Sequence, residues 1–389
     1  MILNGLKMAG TDEFVNIRVA GDKIAEISST PFANSDSSVQ LNFDNALVFP
    51  GIINSHDHLD FNLFPQLGSR IYNNYTEWGR DIHKTYKKEI AEVLKVPEKL
   101  RSEWGVYKNL LCGVTTVVNH GGVSGIKDAP ITIFEDTLCL HSVGFEKGWK
   151  IRLNNPFKPK LPVNIHIGEG DDWPSYSEID ELTWWNLLKK ELIGVHAVAM
   201  SENQAKKFKA IVWCPQSNYF LLNKTARVNF LKNETDLLFG TDSTLTSRWD
   251  IWEHLCLARK TKLISDEELY QTVNKNAAKI WQLNSGEVAE GKDADMVMAK
   301  IKNHKRGFDA FYAITPADLV MVIHKGNVRL FDETILGQLK TIRVSEYSKI
   351  YINGVGKYIQ GDLPGLMEKI KELYPVAFFP VSTAIYNHA

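Results

Sequence analysis

His56 and His58 flank Asp57 directly after an apolar run at residues 46–53. Side chains two residues apart on an extended strand point to the same face, so the two imidazoles project together. Two neutral imidazoles make half of a transition-metal site. An H-x-H triplet also arises by chance, so the weight comes from the rest of the chain. His166 closes the apolar stretch 163–165, with Glu169 three residues further on; His196 closes 193–195, and Asp242 follows 237–241. Taken singly, His166 and His196 read as satisfied core histidines and Asp242 as a helix cap. Together at four strand ends, these histidines and the aspartate point to a metal centre.

The elements that must position them can be traced from the pattern. From residue 161 to 242, short apolar strands alternate with helical segments. These are a strand at 161–167, a helix at 178–190 (Ile179, Leu182, Trp185 and Leu188), and a strand at 192–197. A capping box, Ser201 to Gln204, opens the next helix, followed by a strand at 210–214, a helix at 225–232 and a strand at 236–241. A helix at 100–112 leads into a β-branched strand at 114–118, and one last helix is expected over 265–283, capped by Ser265 and Glu268. Such repeats imply parallel strands with right-handed crossovers, whose C-terminal ends gather the site. The gap from His120 to His166 is short for two strand–helix units; residues 136–144 supply one strand and the next has no clear place. The N-terminal residues alternate with period two at 15–19 and 24–27, with a polar loop at 34–38; strand-like runs return at 294–299 and 319–323, before an amphipathic helix at 363–373. The expected fold is α/β: a (β/α)8 TIM barrel at 50–283, with a small accessory β-sandwich domain built from residues 1–49 and 284–389.

Several stretches resemble a known family. Residues 49–58, Phe-Pro-Gly-Ile-Ile-Asn-Ser-His-Asp-His, resemble the P-G-x-x-x-x-H-x-H opening of the metal-dependent amidohydrolase superfamily. His166 to Glu169 is similar to its H-x-x-E element, and residues 213–218 (Trp-Cys-Pro-Gln-Ser-Asn) to its C-P-x-S-N run. Residues 240–243 resemble G-T-D-S and residues 291–295 G-K-x-A-D. These motifs lie in order across residues 1–330 and are similar to the branch holding the cytosine, guanine and S-adenosylhomocysteine deaminases and the triazine chlorohydrolases.

The resemblance implies a mononuclear site. His56, His58, His166 and Asp242 would bind one divalent transition metal, Zn²⁺ or Fe²⁺, with an open position for a water whose pKa falls toward about 7. Asp242 would take that water's proton and Glu169 would pass a proton to a ring nitrogen or leaving group. His196 would hydrogen-bond the attacking hydroxide or the developing oxyanion. Binuclear members use a bridging lysine. None ends a strand between His120 and His166, since Lys150 stands in a helix end or turn, so a single ion is expected. His120, at another strand end, is read either as a substrate contact or as a buried, hydrogen-bonded histidine. Trp173, Tyr176 and Tyr219 follow strand ends, as stacking or packing groups, and Arg248 is read as a partner for a substrate anion or as an exposed helix-start arginine. Trp185, Cys214, His83, His141, His254, His304, His324 and His388 are assigned no chemistry.

The implied activity is hydrolytic deamination of a nitrogen heterocycle, by a hydrolase of carbon–nitrogen bonds other than peptide bonds. Its competitors are hydrolysis of a cyclic or linear amide, as in imidazolonepropionase-like relatives, and a catalytically inactive ligand-binding barrel. Phosphoester hydrolysis would call for two ions. The 389 residues, 44% hydrophobic, suffice for a large core, and 45 Lys and Arg against 46 Asp and Glu argue against nucleic-acid or polybasic membrane binding. No apolar run nears the roughly 20 residues of a membrane span and no secretory signal stands at the N-terminus. Four scattered cysteines suit the cytoplasm. The expected partner is a small-molecule substrate, with self-association into a homo-oligomer left open.

Overall fold

In the computed structural model the alternating N-terminal segment forms β1 (Ile2–Met8), β2 (Phe14–Ala20) and β3 (Lys23–Ser28), which bury Ile17, Val19 and Ile24. The structure describes residues 1–32, 39–158 and 160–384, so the loop expected at 34–38 and His388 lie outside the described residues. β4 (Gln40–Pro50) is longer and shifts register against β1 near Asn45, whose φ is 54°. Beyond that point its residues 46–50 are all buried.

Eight short strands follow: β5 (Ile52–Asp57), β6 (Val114–Asn119), β7 (Thr132–Phe134), β8 (Leu138–Ser142), β9 (Val163–Ile167), β10 (Leu192–His196), β11 (Ala210–Trp213) and β12 (Asp236–Phe239). They form a three-stranded parallel sheet, β5-β6-β7, and a five-stranded parallel sheet, β12-β11-β10-β9-β8. Every residue of β5, β6, β9, β10 and β11 is buried, polar ones such as Asn54, Thr116 and Asn164 included, as expected of parallel strands covered on both faces. The chain then returns to the first sheet with β13 (Met296–Lys300), β14 (Leu319–His324), β15 (Asn327–Asp332), β16 (Tyr347–Ile352) and β17 (Val355–Gln360). Their nine-stranded sheet runs β16-β17-β15-β14-β13-β4-β1-β2-β3, with β13 antiparallel to β4, so both ends of the chain interleave. The architecture is mixed α/β with parallel sheets, and no helix among the described residues is long and apolar enough to cross a membrane.

Several elements differ from the sequence expectation. The helix expected at 178–190 runs from Trp173 to Trp185, because Asp172 caps it by accepting from the Ser175 backbone at 3.1 Å and Pro174 suits its first turn. The single helix expected over 265–283 is two, Asp266–Thr272 and Lys275–Trp281. They part where the Val273 carbonyl accepts from Ile53 of β5 at 2.9 Å and the Asn274 side chain bonds the Tyr270 carbonyl, so a tertiary contact overrides helix continuation. The helix expected at 225–232 shrinks to Val228–Leu231. Both capping boxes, Ser201 with Gln204 and Ser265 with Glu268, are formed. The short gap between His120 and His166 is explained by β7 and β8, which follow each other with only residues 135–137 between them and no intervening helix.

Candidate metal centre

The last residues of the parallel strands converge on one cluster. His56 ends β5 but for one residue and His58 follows it; His166 stands in β9, His196 ends β10, and Asp242 lies three residues beyond β12. The His166 Nε2 lies 3.0 Å from His56 Nε2 and 3.2 Å from His58 Nε2. Asp242 Oδ1 is 3.7 Å from His56 and 3.5 Å from His58. All four side chains are buried. Such a convergence of lone pairs needs either shared protons or a cation.

The chemistry of the groups favours the cation. Burial, followed by the neighbouring imidazoles, pushes the His58 ring down to about 3 and the His166 ring well below its usual value. Burial alone would hinder ionisation of Asp242, but the His56 hydrogen bond and the facing His58, His196 and His56 imidazoles hold its carboxyl well below the usual range. Neutral rings beside an ionised carboxylate are the donor set a divalent cation takes. The same cluster offers further overlapping donor triplets, His56 with His120 and His166, and His166 with Glu169 and His196, each with its ligand atoms within 4.8 Å of one another.

The surrounding side chains fix these groups. Asp242 Oδ2 accepts from the Ser217 and Thr246 hydroxyls, both at 2.7 Å, leaving Oδ1 toward the imidazoles. His196 Nδ1 donates to Asn218 Oδ1 at 2.9 Å, which leaves its Nε2 as an acceptor, 3.6 Å from Glu169. Ser217 and Asn218 come from one short motif on the helix Pro215–Leu222, so one turn holds both the carboxylate and the His196 ring. His196 and Asp242 have φ of 70° and 57°, left-handed conformations that their strand-end neighbours enforce. Beneath the cluster, Asp57 accepts from Lys108 Nζ at 2.9 Å, Asn109 and Asn62 at 2.7 Å, and Asn54 at 3.2 Å. Lys108 also donates to Thr241 Oγ1 at 3.3 Å, next to Asp242.

Glu169 is buried and its carboxyl is held well above the usual range, by burial first and then by Asp242 and Glu178. Its carbonyl accepts from Tyr75 at 3.0 Å. Glu178 secures the turn before it, accepting from Gly168 at 2.8 Å and from the Tyr75 hydroxyl at 2.9 Å, and burial raises Glu178 to about 7.

The residues expected to meet substrate fare unequally. His120 joins the cluster, its ring stacked on His166 at 4.3 Å. Trp173 is 73% exposed and stacks on Tyr176 instead. The Arg248 side chain is 67% exposed, pairs with Glu253 at 3.2 Å, and borders a separate cavity beside Trp104 and Tyr374; its early place in the turn before the helix Ile251–Thr261 sends it outward. No motif marks Phe61, which stacks on His58 at 5.2 Å, and His141, read as structural, has its ring 5.4 Å from that of His166. Both border a cavity of about 810 Å³, further lined by Phe64, Trp78, Ile82 and Leu245. Lys150 pairs with Glu181 on the surface, away from a bridging position. Cys214 is buried with its thiol pushed well up, chiefly by burial, so it is no nucleophile.

No family model matches the chain. A 5′-deoxyadenosine deaminase of Methanosphaera stadtmanae is 20% identical over 391 residues, covering 82% of this chain and 91% of that protein. A 5-methylthioadenosine/S-adenosylhomocysteine deaminase of Pyrococcus abyssi is 22% identical over 381 residues, covering 78% and 85%. Among solved structures, an adenosine deaminase of Xanthomonas campestris with bound zinc superposes with a TM-score of 0.68 at 14% identity, covering 96% of this chain and 98% of that one. An atrazine chlorohydrolase of Arthrobacter aurescens complexed with zinc gives 0.68 at 15% identity, covering 96% and 100%.

Proposed function

We propose that this chain, a member of the deaminase and chlorohydrolase branch of the metal-dependent amidohydrolase superfamily, replaces the exocyclic amine of a nitrogen heterocycle by hydrolysis and releases ammonia. The observation that carries this reading is a buried Glu169, its carboxyl held well above the usual range, beside the cluster of His56, His58, His166 and Asp242. A divalent ion held there supplies a water acidic enough to ionise near neutral pH. Asp242 accepts the proton of the attacking water, and Glu169 gives its own proton to the ring nitrogen as the amine-bearing carbon becomes tetrahedral. As the carbon–nitrogen bond breaks, the proton held on Asp242 leaves with the amine as ammonia, and the hydroxyl proton passes to Glu169, restoring its acid form and leaving a ring carbonyl. His196, kept neutral at about 4 by burial and pinned by Asn218, accepts a hydrogen bond from the water through Nε2; as an acceptor it does not serve a developing oxyanion.

The substrate is a small molecule, and the cavity beside His58 favours a purine with an apolar substituent. Phe61, Phe64 and Trp78 offer planar and apolar walls there, and the deaminases the chain resembles are named for 5′-deoxyadenosine and 5-methylthioadenosine. We further take residues 50–283 as a closed (β/α)8 barrel and residues 1–49 with 284–389 as an accessory β-sandwich. The eight parallel strands support closure, as do the 3.1 Å bonds from the Thr241 and Asp242 amides to the His56 carbonyl, which tie the segment after β12 to β5. A separate apolar core that includes Leu3, Ile17 and Met296 supports the second unit. Free cysteines accord with the cytoplasm.

The test is ammonia release by zinc-loaded protein from a panel of adenine nucleosides, guanine and other heterocyclic amines. Turnover of at least one is expected, falling about 10²- to 10⁴-fold in Glu169→Gln. Cleavage of a cyclic amide with no ammonia from any amine would replace this reading with the imidazolonepropionase-like one.

A further inference from the structure

Resting on the reading of Glu169 as the proton donor, we propose that Tyr75 is a positioning residue, which ties the turn carrying that acid to the walls of the substrate cavity. Among the described residues no hydrogen bond holds the Glu169 carboxyl itself, so the turn that carries it sets its aim. Tyr75 is 3% exposed and opens the helix Tyr75–Thr85. Its amide donates to the Glu169 carbonyl at 3.0 Å. Its hydroxyl donates to Glu178 Oε2 at 2.9 Å, and the other oxygen of Glu178 accepts from the Gly168 amide at 2.8 Å. The same hydroxyl accepts from the Gly144 amide at 2.8 Å. One residue thus joins its own helix, the turn that bears Glu169 and the loop after β8.

Two of those three segments wall the cavity of about 810 Å³ beside His58. The helix supplies Trp78 and Ile82, and the loop supplies Phe145, whose ring meets that of Tyr75 edge-on at 5.3 Å. The backbones lie close enough to exclude side chains. A Cβ on Gly144 would stand 2.5 Å from the Tyr75 hydroxyl oxygen, and one on Gly170 would stand 2.7 Å from the Asn74 Cβ. Asn74 pairs with Gly170 in an antiparallel bridge, and the Asp171 amide donates to the Asn73 carbonyl at 3.0 Å. The walls that grip the substrate and the acid that protonates it therefore form one packed unit. Binding energy from the remote part of the substrate then serves to align Glu169, which raises kcat rather than lowering KM.

The test uses full-length, zinc-loaded protein and the amine that the panel above turns over, comparing wild type with Tyr75→Phe, Glu178→Leu and Glu178→Gln. Tyr75→Phe keeps the ring and removes the hydroxyl. Its kcat is expected to fall about 10²-fold, with KM and zinc content little moved. Glu178→Leu should fall with it. Glu178→Gln should recover most of that loss, since its carbonyl accepts from Gly168 and its amide donates to the Tyr75 hydroxyl. The Glu178 pair decides the matter if Tyr75→Phe misfolds. Hydrogen exchange, which needs no substrate, should be faster across residues 167–171 in Tyr75→Phe than in wild type. Wild-type kcat or wild-type exchange in folded Tyr75→Phe, or zinc lost in step with activity, would overturn the proposal. Ammonia from no amine with the wild type would instead bring down the proposed reaction, and exchange would still decide whether Tyr75 holds the turn.

Discussion

Among the described residues, two lysine–aspartate pairs are buried at both ends, one beneath the histidine cluster and one in the nine-stranded sheet. Each spans 2.9 Å, Lys108 to Asp57 and Lys357 to Asp332. Their surroundings differ in what they tie together. Lys357 also donates to the Ala317 and Leu319 carbonyls, and Asp332 caps the turn after β15 through Thr334. That pair stitches the backbone leading into β14 to the interior strands β15 and β17. Asp57 instead gathers three asparagines and the lysine, and each partner comes from a segment that also carries or abuts a ligand. Asn54 donates to Thr241 Oγ1 and accepts from the Thr241 amide, so the strand end bearing Asp242 is held to the one bearing His56. The same chemistry serves shape in one place and ligand geometry in the other.

The largest effect that separates them comes from removing one partner. Lys108→Met should lower stability by about 3–5 kcal/mol in urea unfolding, because it leaves the buried Asp57 without a counter-charge; Lys357→Met should cost less, since Lys300 still pairs with Asp332 at 3.1 Å. Below the unfolding transition, only Lys108→Met should lose bound metal and activity. Replacing both partners with apolar residues should recover much of the stability in either region, yet leave the zinc content full only in the nine-stranded sheet variant. Full metal retention by Lys108→Met would erase the distinction.

This contrast marks what could be read from the sequence. His56, His58, His166, His196 and Asp242 could be placed at strand ends because each closes an apolar run, and one face of the parallel strands then collects them. Lys108 and Asn109 carry no such mark, since they sit inside the helix Glu98–Leu110 as ordinary polar residues. Only the tertiary fold turns that face inward. His120 was visible as a strand-end residue, but its closeness to His166 depends on how the strands are ordered around it. For Arg248 and Trp173 the sequence left a substrate contact and a surface or packing role both open, because a loop's exit angle is set by caps such as Asp172 and Asp250 and not by spacing. β7 and β8 escaped the strand–helix rhythm because no helix separates them.

A smaller effect lies in acid. In metal-free protein His58 and His196 sit at about 3 and about 4, below an unfolded value near 6.5, so the unfolded chain binds the extra protons. The cluster therefore loses stability as pH falls below about 6.5. Burial opposes ionisation of Asp332, but the Lys357 charge and the Thr334 and Lys357 hydrogen bonds hold it at about 2. Its contribution is complete above about pH 4 and fades as pH falls toward 2. Urea midpoints followed from pH 7 to pH 3 should show an upper limb that bound zinc suppresses, and a lower limb that Asp332→Asn removes. A single limb indifferent to both changes would contradict the assignment.

The smallest difference is between two hydroxyls. Ser217 donates to Asp242 Oδ2 at 2.7 Å and Thr334 donates to Asp332 Oδ1 at 2.6 Å. Each is a hydrogen bond to a charged group, so Ser217→Ala and Thr334→Val should each cost about 1.5 kcal/mol or somewhat more. Thr246 still holds Asp242 Oδ2 in the first variant, which keeps the carboxylate in place but leaves it less restrained. Loss of an outer partner to a ligating carboxylate weakens metal affinity or turnover by about 10- to 100-fold. Ser217→Ala should therefore move the acid limb of the pH–rate profile as well as the rate, while Thr334→Val, equal in stability, leaves both where they were. Should the two variants prove kinetically alike, Ser217 would be a packing residue and the hold on Asp242 would rest on Thr246.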